Sequence, residues 1–209
     1  MASFGIPQIS TGDLLREHVG NGTELGKMAQ ALMDAGKLVP DEVVNDMVAD
    51  RLLREDTLPG YILDGFPRTQ GQAAWLDGKL PELHDAPPLI AVKIHVATEE
   101  LLHRITGRRT CPTCKRIYNI YSHRPQIEGR CDFDGTPLQH RSDDTEPAFY
   151  RRMKEYEVKT APVIDHYRAQ NCFGEVDGTG SLINVEQRII DAIRELRTRS
   201  SALPAPRSR

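Results

Sequence analysis

The chain has 209 residues, 39% of them hydrophobic and 27% charged, a composition that excludes collagen-like and disordered proteins and predicts one globular domain. At this length roughly 70% of the surface of the unfolded chain can be buried. The formal net charge of −3 argues against bulk nucleic-acid binding. No apolar run approaches the roughly 18 residues of a membrane span, and the N-terminus has no apolar signal core, so we expect a cytoplasmic protein with no membrane partner.

The N-terminal part of the chain predicts three helices in a compact region. Ser10 and Asp13 have the spacing of a capping box, which begins the first helix. Thr23 caps the second helix, whose apolar residues repeat at helical spacing until the C-cap glycine, Gly36. Pro40 opens the third helix.

Strands and helices alternate in the rest of the chain. The order is a buried strand at 61–63, a helix at 70–80, a strand at 89–96, a helix capped by Thr98 that runs to Gly107, a helix at 145–169 bent near Pro162, a strand at 173–176 and a helix at 185–197. Such alternation predicts an α/β fold with a parallel sheet covered by helices on both faces. Residues 198–209 are rich in serine, proline and arginine and predict a disordered tail.

Residues 107–144 differ from their surroundings, with turn residues, aromatics and three of the four cysteines, and we interpret them as an inserted module. Cys111-x-x-Cys114, sixteen residues, then Cys131-x-x-Asp134 has the spacing of a structural zinc site. These ligands fill all four positions of a tetrahedral ion and leave none for a catalytic water. Reduced cysteines in a loop, or an incidental disulfide, are the alternatives.

Six arginines lie at turns or at the ends of predicted elements. Arg68 directly follows the strand at 61–63, in the sequence Asp64-Gly65-Phe66-Pro67-Arg68. Ligands of open parallel sheets bind at the carboxyl ends of strands, and a guanidinium there suits a phosphate. An arginine taken alone is more often a solvated surface charge, so the functional interpretation rests on several of them lying at turns that flank one cleft. The six are Arg16, Arg68, Arg104, Arg108, Arg141 and Arg152.

From Phe4 to about Ile193 the chain resembles adenylate kinase of the long, zinc-lid type. Six stretches carry the resemblance, in the family's order and spacing: Gly5-Ile6-Pro7-Gln8-Ile9-Ser10-Thr11-Gly12-Asp13, Gly36-Lys37-Leu38-Val39-Pro40, Asp64-Gly65-Phe66-Pro67-Arg68-Thr69, Gly107-Arg108-Arg109, Arg141-Ser142-Asp143-Asp144 and Val176-Asp177-Gly178-Thr179. The resemblance implies a P-loop-kinase-like parallel sheet flanked by helices. It also implies a core of residues 1–106 and 145–197, an AMP-binding hairpin at 10–39 within it, and a zinc-binding lid at 107–144.

The same resemblance implies reversible phosphoryl transfer, in which ATP and AMP give two ADP, with Mg²⁺ on the ATP phosphates and a monomeric enzyme. It places AMP on Thr11, Arg16, Lys37, Leu38, Val39, Gly65, Phe66, Pro67, Arg68 and Gln72. It places ATP on Arg104, Arg108, Ile117, Tyr118 and Gly180. It gives catalytic roles to Arg68, Arg108, Arg141 and Arg152, the last two also contacting AMP, and a magnesium-bound water to Asp64.

The chain departs from the family pattern at its start. Family members begin with a buried strand and a glycine-rich phosphate loop of the G-x-x-x-x-G-K type, and the 209 residues contain no such motif. The pattern therefore predicts that the first, central strand of the sheet is missing and that activity is impaired in the chain as given. Either the start codon is assigned too late, or the chain is truncated and has lost activity.

Three alternatives to an adenylate kinase stay open. One is a UMP or CMP kinase, against which the adenine-matched Gln72 and the zinc lid count. Another is a catalytically inactive nucleotide- or zinc-module-binding relic of a kinase, which the missing phosphate loop favours. The third is a zinc-ribbon nucleic-acid binder, against which the net charge of −3 and the acidic pair Asp143-Asp144 count.

Overall fold

The computed structural model describes residues 4–80 and 89–202, which divide into two compact units. Unit one contains the residues up to Ala29, Val39–His95 and the chain from Tyr156 onward. Unit two contains Gln30–Leu38 and Val96–Glu155. The predicted lid at 107–144 lies inside unit two. The unit extends beyond the lid to the residues that flank it and to residues 30–38, where Asp34 accepts a 3.0 Å hydrogen bond from the hydroxyl of Ser142.

The order of elements is that of an α/β fold, as the sequence predicts. The strands and helices are β1 (Gln8–Ser10), α1 (Thr11–Gly20), α2 (Glu24–Asp34), α3 (Asp41–Leu52), β2 (Ile62–Asp64), α4 (Gln70–Lys79), β3 (Ala91–His95), α5 (Thr98–Thr106), β4 (Arg108–Thr110), β5 (Ile117–Asn119), α6 (Glu146–Glu155), α7 (Ala161–Ala169), β6 (Phe173–Asp177) and α8 (Leu182–Ala202). A short 3₁₀ turn, Glu55–Thr57, precedes β2.

Two parallel strand pairs form the sheet structure of unit one. β1 pairs with β2, with Gln8 opposite Ile62, and β3 pairs with β6, with Ala91 opposite Phe173. Within residues 4–80 and 89–202, no strand is hydrogen-bonded to both pairs.

The strand β1 is not predicted from the sequence. This strand has three residues and only one apolar side chain, Ile9, which is 2% exposed. A single apolar position cannot show the alternation that identifies a strand. The extended conformation of β1 depends on its hydrogen bonds to β2, which lies more than fifty residues away in the chain.

The helix ends in the N-terminal region follow the predicted signals. Ser10 caps α1, and its hydroxyl accepts a hydrogen bond from the N–H of Asp13 at 3.3 Å. Thr23 caps α2 in the same way, accepting from the N–H of Gly26 at 3.0 Å. Gly36 has a φ of +70° and, with the residue after it, closes α2 through two 2.9 Å hydrogen bonds to the last turn.

In the second half of the chain, two helix boundaries differ from those predicted. The N-cap of α5 is Ala97, not Thr98, whose hydroxyl makes no capping bond because Thr98 already lies in the first turn. The predicted bend near Pro162 is a π-helical segment, Tyr156–Thr160, directly before α7. Proline lacks the N–H of a regular helical hydrogen bond, so departure from α geometry just before it is expected.

The C-terminal helix is longer than predicted. α8 runs from Leu182 to Ala202, so residues 198–202, predicted as the start of a disordered tail, are helical. An ion pair between Glu195 and Arg199, one turn apart, supports the extension. The rest of the predicted tail, 203–209, lies outside the described residues.

Helices cover the strands of unit one and bury its apolar side chains. Ala73 of α4 packs against Val163 and Tyr167 of α7, and Ala91 and Phe173 of the β3–β6 pair pack on the same cluster. Among the helices that the structure describes, none combines the length and apolar character that crossing a bilayer requires.

Candidate functional site

The turn that follows β2 is fixed by hydrogen bonds to its first residue. The carbonyl of Gly65 accepts bonds from the hydroxyl of Thr11 at 3.1 Å and from Nε of Arg68 at 2.8 Å. Gly65 has a φ of +73°, and a Cβ there would lie 2.7 Å from the guanidinium of Arg68. The left-handed backbone conformation favours glycine here, and a Cβ would also displace the Arg68 guanidinium from its present position. The next residue, Phe66, is buried edge-to-face against Trp75.

Arg68 lies at the carboxyl end of β2 on a rigid backbone. Its N–H donates to Oε1 of Gln72 at 2.7 Å, and its carbonyl accepts from the hydroxyl of Thr160 at 2.9 Å. The side chain is exposed, and its bond to Gly65 uses one of the five N–H donors of the guanidinium. A fixed, exposed guanidinium at this edge of a parallel pair suits recognition of a phosphate.

Gln72 is 2% exposed, and its amide is held at both ends. Oε1 accepts from Arg68, and Nε2 donates to Oδ1 of Asp41 at 2.9 Å. The other carboxylate oxygen of Asp41 accepts from the hydroxyl of Thr69 at 2.6 Å. Asp41 was missed by sequence reasoning, which used this part of α3 only as a helix start, because its partners lie about thirty positions away.

Two further charged side chains of unit one, Arg16 and Asp64, are each hydrogen-bonded to another side chain. Arg16 pairs with Asp13 one turn earlier in α1, with Nε at 3.2 Å from Oδ1. The side chains of Arg16 and Asp13 are 32% and 69% exposed, so this pair contributes only about 0–1 kcal/mol and a competing anion can displace it. Asp64, at the end of β2, is exposed and accepts a 2.6 Å hydrogen bond from Nε2 of Gln8.

In unit two an acidic pair holds two arginines. Asp144 is 0% exposed and accepts a fork from Arg108, whose Nε lies 2.8 Å from Oδ2 and whose Nη2 contacts Oδ1. Arg152 donates to Asp143, itself 6% exposed, and lies 3.9 Å from Asp144. From the sequence, these carboxylates are only part of a stretch that resembles the family and an argument against nucleic-acid binding. Their role in orienting the arginines becomes visible only from the fold.

Two nearly identical hairpins carry the cysteines of unit two. In the first, the N–H of Cys111 donates to the carbonyl five residues ahead at 2.9 Å, and the N–H of Lys115 donates back to the carbonyl of Cys111 at 3.1 Å. In the second, Cys131 and Gly135 make the same two bonds, each 2.9 Å. Lys115 and Gly135 both have left-handed φ, 62° and 69°. Each hairpin therefore points its first and fourth residues the same way.

The hairpins bring four ligand atoms together. The thiols of Cys111, Cys114 and Cys131 and a carboxylate oxygen of Asp134 all lie within 4.8 Å of one another. Cys114 Sγ is 3.5 Å from Cys131 Sγ, and Cys111 Sγ is 3.4 Å from Asp134 Oδ2. Thiolates about 2.3 Å from a tetrahedral zinc lie about 3.8 Å apart. The backbone N–H of Thr136 donates to Asp134 and holds the pKa of its carboxyl below the usual range, so it is ionised. The donor set is compatible with zinc.

Comparison with known proteins identifies relatives that cover most of the chain. The family model described as adenylate kinase matches residues 1–172. Adenylate kinase of Thermodesulfovibrio yellowstonii is 48% identical over 179 residues, covering 86% of this chain and 83% of the relative. Those of Salinispora tropica and Archaeoglobus fulgidus are 45% and 46% identical, each covering 92% of this chain and 88% of the relative.

The chain belongs to the adenylate kinase family. Membership makes it an enzyme of nucleotide phosphoryl transfer and confirms the family resemblance and the predicted α/β fold class. The residues that the resemblance assigned to AMP are distributed between the units. Unit one contains Thr11, Arg16, Val39, Gly65, Phe66, Pro67, Arg68 and Gln72, and unit two contains Lys37, Leu38, Arg141 and Arg152.

The ATP residues expected for an adenylate kinase lie mainly in unit two. Arg104 is paired with Glu100 one turn earlier, at 2.8 Å. Ile117 is 56% exposed, whereas Tyr118 is 3% exposed and its hydroxyl lies 3.4 Å from Sγ of Cys131. Tyr118 therefore packs on the cysteine cluster. Gly180, in unit one, has a φ of +96° in the turn between β6 and α8.

Proposed function

We propose that the chain transfers a phosphoryl group reversibly between ATP and AMP, giving two ADP. The observation that carries the proposal is the exposed Arg68 guanidinium, held by Gly65 at the carboxyl end of β2. Phosphoryl transfer needs positioning and positive charge more than it needs covalent help from the protein. Arg108 and Arg152, oriented by buried carboxylates, supply more of the same chemistry.

The proposed roles follow the resemblance residue by residue. Arg68 and Arg16 bind the AMP phosphate, and Gln72 contacts its base. Arg104 stacks on the ATP base, and Arg108 binds the ATP phosphates. Arg141 and Arg152 contact the phosphoryl group as it moves. Mg²⁺, when bound with ATP, neutralises phosphate charge, and Asp64 would hold a water of its coordination shell.

Measuring ADP formation tests this assignment. Purified chain is incubated with MgATP and AMP, and parallel reactions replace AMP by CMP, UMP or water. ADP formation that requires AMP supports the proposal. AMP binding without turnover in folded protein favours the inactive relic, and faster turnover with CMP or UMP favours the pyrimidine kinase. That activity is impaired in the chain as given stays a prediction, and the rate of ADP formation in this assay tests it.

A structural zinc ion is part of the proposal. Cys111, Cys114, Cys131 and Asp134 would hold it, and its role would be to tie the two hairpins together. All four positions of a tetrahedral ion are then filled by protein, so the ion takes no part in the transfer step.

Replacing Cys114 by alanine is expected to lower the melting temperature by roughly 5 °C or more, because metal binding contributes directly to folding and each kcal/mol corresponds to about 2–4 °C at this size. Cys172→Ala is the matched control, since Cys172 lies outside the cluster. Elemental analysis should find one zinc per wild-type chain and per control chain. Well under one zinc in wild-type protein purified without chelators would contradict the prediction.

Replacing Arg68 by alanine is expected to weaken AMP binding by ~1.5–3 kcal/mol, the range for a hydrogen bond to a charged partner. Titration calorimetry with AMP measures the effect. Arg194→Ala, which removes an arginine that is 71% exposed on α8, is the control and should leave the affinity unchanged. An unaltered AMP dissociation constant in the Arg68 variant would remove Arg68 from the site.

A further inference from the structure

We propose that Asp41 determines the base specificity of the AMP site by fixing the orientation of the Gln72 amide. The inference rests on the proposed function, in which Gln72 contacts the base. Asp41 acts as a positioning residue, because it reaches the base only through Gln72. Every residue involved belongs to unit one.

Two neighbours of opposite character determine which way the amide faces. The backbone N–H of Arg68 can only donate, so the atom 2.7 Å from it must be Oε1 of Gln72. The carboxylate of Asp41 can only accept, so the atom 2.9 Å from its Oδ1 must be Nε2. Rotating the amide by 180° would place donor against donor and acceptor against acceptor. Because Gln72 is 2% exposed, the rotated amide could not replace the lost hydrogen bonds with hydrogen bonds to water.

Asp41 is itself held in place by the first turn of α4. The hydroxyl of Thr69 accepts the backbone N–H of Gln72 at 3.0 Å, which leaves its own proton for Oδ2 of Asp41 at 2.6 Å. Gly71 lies against the same oxygen, since a Cβ there would be 3.0 Å from Oδ2. The Asp41 carboxylate therefore has little conformational freedom, so its hydrogen bond holds the Gln72 amide in one orientation.

The fixed amide matches one class of purine. A primary amide offers two N–H donors and can accept two bonds, and the contacts to Arg68 and Asp41 use one of each. One N–H and one lone pair remain, which complement the N1 acceptor and the 6-amino donor of adenine. Hypoxanthine carries a proton on N1 and a carbonyl at C6, the reverse pattern, and would need the rotated amide. The arrangement therefore favours 6-aminopurines over 6-oxopurines.

Calorimetry with AMP and inosine monophosphate tests the role of Asp41. In Asp41→Asn the new amide can present its N–H to Oε1 of a rotated Gln72, so one of the two barriers to rotation is lost. We expect the preference for AMP over inosine monophosphate to fall about tenfold. The ratio of the two affinities does not depend on the folded fraction of the sample. Glu42→Gln makes the same charge change in the same turn of α3, at an exposed side chain, and should leave the ratio unchanged.

The outcomes separate this inference from the proposed function. A wild-type chain that binds neither nucleotide overturns the proposed function itself. A wild-type preference for AMP that persists in Asp41→Asn overturns the role of Asp41. Should the variant not fold, the Gln72 side-chain amide of wild-type protein is followed by ¹⁵N NMR. Slow hydrogen exchange relative to exposed glutamines supports the fixed orientation, and exchange as fast as theirs overturns it.

Discussion

Asp144→Ala is expected to destabilise unit two by about 3 kcal/mol, the lower end of the range for breaking a buried ion pair. Asp144 is fully buried and accepts the Arg108 fork, so its removal leaves a guanidinium without its main partner. Arg108 keeps 24% of its side chain exposed, which reduces the penalty. Chemical denaturation and hydrogen exchange over residues 96–155 would measure the effect.

Two comparison variants make the Asp144 result specific. Glu128→Gln removes an exposed acidic residue of the same unit and should change stability by less than about 0.5 kcal/mol. The double variant Arg108→Ala/Asp144→Ala should cost less than the sum of the single variants, because removing both partners leaves no unpaired charge. Equal stability of Asp144→Ala and Glu128→Gln would show that the buried pair does not hold unit two together.

Local signals account for most of what the sequence predicts correctly. The cap at Ser10, the glycine that closes α2 and each of the two pairs of metal-ligand candidates depend on residues within a few positions of one another. Backbone geometry at such sites is set by short-range hydrogen bonds and by the freedom of glycine, so the residue types alone identify it. The same reasoning found the exposed arginine after β2.

Contacts between distant parts of the chain account for what the sequence did not predict. Asp41 and Gln72 are 31 positions apart, and Arg108 and Asp144 are 36 positions apart. Nothing in their neighbourhoods distinguishes these carboxylates from solvated ones, because their burial is decided by packing. The ATP contact that the resemblance assigned to Tyr118 stays a prediction, and the structure shows that the folded hairpins bury its side chain against Cys131.

Arg152→Ala is expected to lower kcat/KM for phosphoryl transfer to AMP by about 10²–10³, the effect of removing one preorganised donor from a developing charge. Asp143 and Asp144 hold the guanidinium before substrate arrives, so it needs little reorganisation during transfer.

Further variants separate the effect of the orientation of the Arg152 guanidinium from the effect of its charge. Arg152→Lys keeps the charge but loses the planar fork, so its rate should lie between those of wild type and Arg152→Ala. Lys154→Ala removes an exposed cation from the same helix and should leave the rate unchanged. Losing a contact that forms mainly in the transition state lowers kcat, whereas losing one formed equally with bound substrate raises only KM. If Arg152→Ala raises KM and leaves kcat intact, Arg152 binds the ground state and its proposed contact with the moving phosphoryl group is wrong.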